Sequence, residues 1–152
     1  MIRKQPVRVR AILGLCALAT TALLAGCLKS TEPLPSSVDL DGKWTYTGTQ
    51  TSPVRETLSG TLTISGESGS SFVGRLDLVA VNASNGQTRL LAGLVNGAVK
   101  GSDLIDFDAN LEASPWRHVG QIVADTISGP WVSSASDAPA SSGTFRIERQ
   151  SP

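Results

Sequence analysis

From Val38 onward the chain is written in a period of two: short runs alternate apolar with polar residues and stop at Gly, Asn, Asp, Ser or Pro. No useful length carries the apolar i, i+3, i+4 spacing of a helix. An alternating run can bury only one face, so this segment must form sheet, and a slip of one residue turns a whole apolar row outward. Eight runs follow in series: Gly42–Gln50, Val54–Ser65, Ser71–Val81, Thr88–Val99, Leu104–Leu111, Trp116–Ala124, Thr126–Ser133 and Gly143–Gln150. Phe72, Gly74, Leu76 and Leu78 alternate with Val73, Arg75 and Asp77. Ile105, Phe107, Ala109 and Leu111 alternate with Asp106, Asp108 and Asn110. Ile127, Gly129 and Trp131 share a face, as do Phe145 and Ile147. The fourth run is apolar on both faces and leaves its parity open.

The links are short and carry turn chemistry: Gly66-Glu67-Ser68-Gly69, Asn85-Gly86, Lys100-Gly101-Ser102-Asp103, Ser114-Pro115 and Asp125-Thr126. The longest loop is expected at Ala135–Ser142. Short links between consecutive strands predict a meander, and eight strands can close on themselves and leave no raw edge. The expected fold is all-β, an eight-stranded antiparallel up-and-down β-barrel over residues 39–152, with a β-sandwich as the alternative. Gly60, Gly74, Gly120 and Gly129 fall on inner rows, joined by Gly93 and Gly97 if the fourth strand takes that register. Glycine weakens a strand, so its repeated use calls for a reason: a sharp bend, or room for a large neighbour such as Trp44, Trp116, Trp131 or Phe107. Both imply a filled interior; the alternative is a slot for a flat ligand.

Residues 1–26 have a different character. Arg3, Lys4, Arg8 and Arg10 precede an uncharged run of 16 residues, Ala11 to Gly26. At ~1.5 Å per residue that run spans about 24 Å as a helix, short of the ~30 Å hydrocarbon core. Basic region, short apolar region and small residues are the order of a secretory signal. It ends Leu24-Ala25-Gly26-Cys27, which resembles the lipobox of bacterial lipoproteins. That resemblance implies cleavage after Gly26, acylation of Cys27 with palmitate-like chains and a membrane partner; an ordinary signal peptide or an uncleaved anchor are the alternatives. Leu28, rather than Asp, follows the Cys, which by the same resemblance points to the outer membrane of the bacterial cell envelope. Two or three acyl chains make a lasting anchor where one is marginal. Residues 27–38 then read as the lipidated Cys and a Pro/Ser-rich tether, whose eleven residues after the Cys reach about 35–40 Å fully extended.

Composition narrows the function. The whole chain has 13 basic and 13 acidic residues. Without the four cations of the first ten residues, nine face thirteen acids, a net −4. A weakly acidic remainder with no basic run excludes nucleic-acid binding driven by phosphate neutralisation. Cys16 and Cys27 are the only cysteines, one discarded and one acylated, so no disulfide is expected.

Gly42-Lys43-Trp44 at the start of the first strand resembles the G-x-W signature of the calycin barrels: lipocalins, fatty-acid-binding proteins, avidins and small bacterial protease inhibitors. In lipocalins that Trp packs against an Arg near the end of the last strand. Arg149 shares the parity of Phe145 and Ile147 and stands at that place, so the resemblance implies a Trp44–Arg149 contact closing one end. The later lipocalin motif and the biotin-contacting pattern of avidins are absent, so no binding residue carries over.

The chemistry-bearing residues are few. His118, the only His, has Asp125 and Ser128 near it in sequence, but without a G-x-S-x-G turn it reads as a polar group in or near the barrel wall. Asp103, Asp106 and Asp108 lack EF-hand spacing and read as a solvated face. Asn82-Ala83-Ser84 reads as a turn. No catalytic residue, metal or cofactor is expected. The reading is a membrane-tethered, non-catalytic binding module for a small apolar ligand; the alternative is a periplasmic protein-interaction or inhibitor barrel.

Overall fold

The structure, a computed structural model, describes residues 38–112, 114–135 and 138–151. Leu24, Ala25, Gly26, Cys27, the tether up to residue 37 and the whole of the signal-like segment 1–26 lie outside the described residues.

Eight strands follow one another: β1 Gly42–Ser52, β2 Glu56–Ser68, β3 Ser71–Asn82, β4 Thr88–Lys100, β5 Leu104–Ala109, β6 Trp116–Val123, β7 Thr126–Ala135 and β8 Ala138–Arg149. Each pairs antiparallel with the next, and β8 returns to β1, which closes the barrel and removes the sandwich alternative. The closing register sets Trp44 opposite Arg149, Tyr46 opposite Ile147, Gly48 opposite Phe145 and Gln50 opposite Gly143.

One apolar row per strand forms the core. Phe72, Leu76 and Leu78 of β3, Ile105, Phe107 and Ala109 of β5, Ile127 and Trp131 of β7, and Phe145 and Ile147 of β8 are all buried. Neighbours decide the parity of β4: Leu91, Val95 and Val99 turn inward, while Leu90 and Leu94 remain 82% and 64% exposed. The inner glycines make room, one of the two expected purposes, for neighbouring backbone as well as for rings. A Cβ on Gly60, Gly93 or Gly129 would stand 1.9–2.0 Å from a carbonyl oxygen of the adjoining chain, so backbone occupies that space. A Cβ on Gly97 would meet the rings of Phe72 and Phe107, and one on Gly120 the ring of Phe145.

The barrel departs from expectation at one hairpin. Ala135–Ser142 is not the longest loop. β7 runs to Ala135 and β8 starts at Ala138, with Ser133 paired to Ser141, Ala135 to Ala138, and a bulge between. Small residues and Pro139 give this stretch little strand propensity of its own; pairing across the hairpin supplies the order. The longest connection is instead residues 110–115, between β5 and β6.

Candidate functional site

The two ends of the barrel are built differently. At the end where β1 begins, Trp44 is 1% exposed and its Nε1 donates to the Leu40 carbonyl at 2.9 Å. The Arg149 guanidinium carbon lies 4.3 Å from the centroid of the Trp44 ring. Arg149 Nη1 donates to the Asp41 carbonyl at 2.8 Å, and Nη2 to that of Asp39. The Leu40 amide donates to Glu67 Oε1 at 2.6 Å, and the Leu40 side chain is buried in the core. The approach to β1 is therefore bound to β8 and β2, and its leucine caps this end.

The middle is filled with rings. His118 is stacked on Phe107, with centroids 4.4 Å apart and planes at 6°, and meets Phe145 edge-on at 5.0 Å. Its Nδ1 lies 2.9 Å from the Trp116 carbonyl, which can only accept, so Nδ1 carries the proton. Nε2 then accepts from the Tyr46 hydroxyl at 3.2 Å. Burial pushes the His118 pKa down to about 4 despite the Trp116 carbonyl, and pushes that of Tyr46 far up, so both stay neutral. Ser128 is exposed on β7, and Asp125 sits in the turn beside Arg149, its Oδ1 3.6 Å from Nε. The structure does not bring the three together as a triad.

The end where β1 finishes carries other groups. Trp116 and Trp131 stack at 4.1 Å with planes at 5°, and Trp131 Nε1 donates to the Thr49 carbonyl at 3.3 Å. Ser133 Oγ lies 2.8 Å from Ser114 Oγ. Glu56 is buried and held by Arg89, Nε to Oε1 at 3.2 Å and Nη2 to Oε2 at 2.7 Å; the same guanidinium reaches Glu112 through Nη1. Gln50 is 4% exposed, and its Nε2 donates to the Val54 carbonyl at 3.0 Å. Its Oε1 is buried and has no donor among the described residues.

The sequence did not single out Gln50; the structure puts it on the inner row of Trp44 and Tyr46, two residues beyond Gly48, and its want of a donor depends on partners that no spacing reveals. The outer groups are engaged. Asp106 Oδ2 accepts from Lys100 and Arg117, both at 2.6 Å, and these cations outweigh partial burial and lower its pKa. Asp103 accepts from Gln121, and Asn82 Oδ1 accepts the Ser84 amide in a turn. Among the described residues no group of three or more His, Cys, Asp or Glu could hold a metal ion.

No protein-family model matches the sequence, and no curated protein does. Solved structures do resemble the barrel. EF1p2_mFAP2b bound to DFHBI aligns with a TM-score of 0.58 and 19% identity over 73% of this chain and 94% of that one. The redesigned β-barrel mFAP1, bound to DFHBI, gives 0.53 and 18% over 72% and 94%. A de novo designed fluorescence-activating β-barrel gives 0.51 and 18% over 72% and 93%. At such identity the likeness is one of fold: a small, closed, antiparallel β-barrel.

Proposed function

We propose that the protein is a lipid-anchored lipoprotein of the bacterial cell envelope, held in the outer membrane through acylated Cys27, whose barrel is a non-catalytic binding module for a small, largely apolar ligand. The observation that carries the binding reading is the contrast between the ends: Leu40, Trp44 and Arg149 cap one, while at the other two indoles stack and a buried amide oxygen has no donor among the described residues. Two barrels of like fold were solved with the small molecule DFHBI bound, which supports a small molecule as the occupant of such an architecture. The resemblance to calycins points the same way.

Anchoring is tested by Cys27→Ser. Loss of labelled-palmitate uptake, with accumulation of uncleaved precursor, is the expected result; unchanged cleavage and membrane fractionation refute it. Binding is tested by titrating the full chain with the neutral apolar dye N-phenyl-1-naphthylamine. Saturable quenching of tryptophan fluorescence is expected.

A second reading rests on the outer wall. Leu90 and Leu94 of β4 and Val73 of β3 are exposed aliphatic side chains on one outer face, around the Arg75–Asp77 ion pair, a mixed surface suited to a protein partner. Under that reading Leu90→Lys with Leu94→Lys abolishes partner binding and leaves dye binding unchanged.

A further inference from the structure

We propose that the outer face of β3 and β4 pairs with the same face of a second copy of this chain, about a two-fold axis that sets Arg75 against the partner's Asp77. This rests on the reading of that face as a protein-binding surface and names the partner. The outward residues run Val73, Arg75, Asp77, Val79 along β3 and Asn96, Leu94, Ala92, Leu90 along β4. The register ties them into rows: Val73 beside Asn96, Arg75 beside Leu94, Asp77 beside Ala92, and Val79 beside Leu90. Residues directly opposed across a strand pair share a face, so a partner meets each row as a unit.

The two central rows complement each other. One carries a cation and a large apolar side chain, the other an anion and a single methyl group. A two-fold axis lying in the plane of contact, across the strands and midway between these rows, exchanges them. Arg75 then meets the partner's Asp77, Asp77 meets the partner's Arg75, and each Leu94 falls on the partner's Ala92, where there is space for it. The outer rows exchange as well: Val73 meets the partner's Val79, and Leu90 reaches the partner's Asn96 at the rim. A surface that is its own complement in charge and in size is what an isologous contact requires.

The state of these side chains agrees with that use. Leu90 is the most exposed large apolar residue among the described residues, and the side chains of Arg75 and Asp77 are 56% and 53% exposed. Arg75 Nε and Nη2 both reach Asp77 Oδ1 at 3.0 Å, but an ion pair so open to water contributes little. Covered by a second copy, the four charges attract more strongly, because the dielectric around them falls. A control exists on β8, where Arg146 and Glu148 form the same kind of pair. Its neighbours on both sides are hydroxyls, Thr45 and Thr47 of β1 with Thr126 and Ser128 of β7, which favour hydration. The β3 pair has threonines, Thr61 and Thr63, on one side only; Ala92 and Leu94 stand on the other. Two convex barrel walls meet along few strands, so the contact belongs to the small, reversible class.

Sedimentation of the full chain in a neutral detergent, from dilute to concentrated solution, should show a monomer–dimer equilibrium. Arg75→Glu makes the centre wholly acidic, and Asp77→Arg makes it wholly basic. Each variant alone should pair about tenfold more weakly, and an equimolar mixture of the two should recover the wild-type strength. Ala92→Trp fills the notch without altering charge and should also prevent pairing. Association through the apolar segment 11–26 is common to all these chains, so the charge rule isolates this face. A wild type that stays monomeric at every concentration overturns the pairing and leaves a different protein partner open to this face; that measurement needs no variant to fold. A mixture no stronger than its components overturns it as well. A dimer untouched by the charge variants and by Leu90→Lys with Leu94→Lys overturns both the pairing and the reading of this face as an interface.

Discussion

The end where β1 begins and the end where it finishes draw on the same kinds of residue, an indole, an arginine and backbone carbonyls, and arrive at opposite conditions. At the first, the Trp44 N–H, the Arg149 guanidinium and the Leu40 amide all meet partners within the chain, and an apolar side chain lies over the core. At the second, Trp131 and Arg89 are likewise committed, yet a buried side-chain amide oxygen has no donor among the described residues. Polar groups satisfied internally stabilise a fold, whereas one left over is a cost that binding can relieve. The first end is closed by its own chain and the second leaves one group over, and substitutions should separate them.

The largest effect is expected from Trp44→Ala, which empties the capped end. Removing a fully buried Trp costs about 3–5 kcal/mol, and chemical denaturation should show a loss of that order. A loss no larger than the ~0.5 kcal/mol of a surface change would make the cap incidental.

Next comes the middle layer between the ends. His118 has a folded pKa of about 4 against 6.5 for the free side chain. Above pH 6.5 both folded and unfolded chains hold it neutral. Between 6.5 and 4 only the unfolded chain takes up the proton, so stability falls as pH falls through that window and levels off below it. A shift of that size corresponds to about 3 kcal/mol. Since His118 is the only His, the loss should vanish between pH 6.5 and 5 in His118→Gln, as followed by urea midpoints. A wild-type midpoint flat across that range would mean that the ring is solvated.

Arg149→Ala should cost about 1–2 kcal/mol, from the contact with the indole face and from carbonyls left to water. Arg149→Lys keeps the charge but not the planar fork, and should recover only part. Combined with Trp44→Phe, the loss should be smaller than the sum of the two, because both weaken one contact.

The barrel was legible because its evidence is local. Alternation in β3, β5 and β8 set inner rows before any pairing was known, and turn residues between consecutive runs required neighbours in sequence to be neighbours in space. Lys100, Leu104 and their turn are an example. Where local evidence failed, pairing decided: β4 has two apolar faces, and Ala135–Ser142 has no large apolar side chain, only alanines and one proline. The candidate site was less legible for the same reason. Gln50, Val54, Gly143 and Trp131 meet only after closure, and Glu56 finds Arg89 from 33 residues away. Gln50 was not marked by the sequence; only the assembled barrel shows that it is buried and which of its atoms lacks a partner among the described residues.

The smallest effect is expected at Gln50, and its sign matters more than its size. Gln50→Leu removes a buried acceptor without a donor, which should stabilise the fold by about 1–3 kcal/mol, the usual cost of such a group. It also removes the bond from Nε2 to the Val54 carbonyl, worth about 0.5–1.5 kcal/mol. Val54 is 43% exposed, so water can replace that donor and the second loss stays small. Apolar burial is kept, because leucine is close to glutamine in volume. At the middle of both ranges the balance is about 1 kcal/mol of stabilisation. Glutamine would then be retained at some expense of stability, as is usual where a side chain serves a ligand. A clear destabilisation of Gln50→Leu in denaturant titrations would mean that the oxygen already has a partner in solution, and the two ends would be alike.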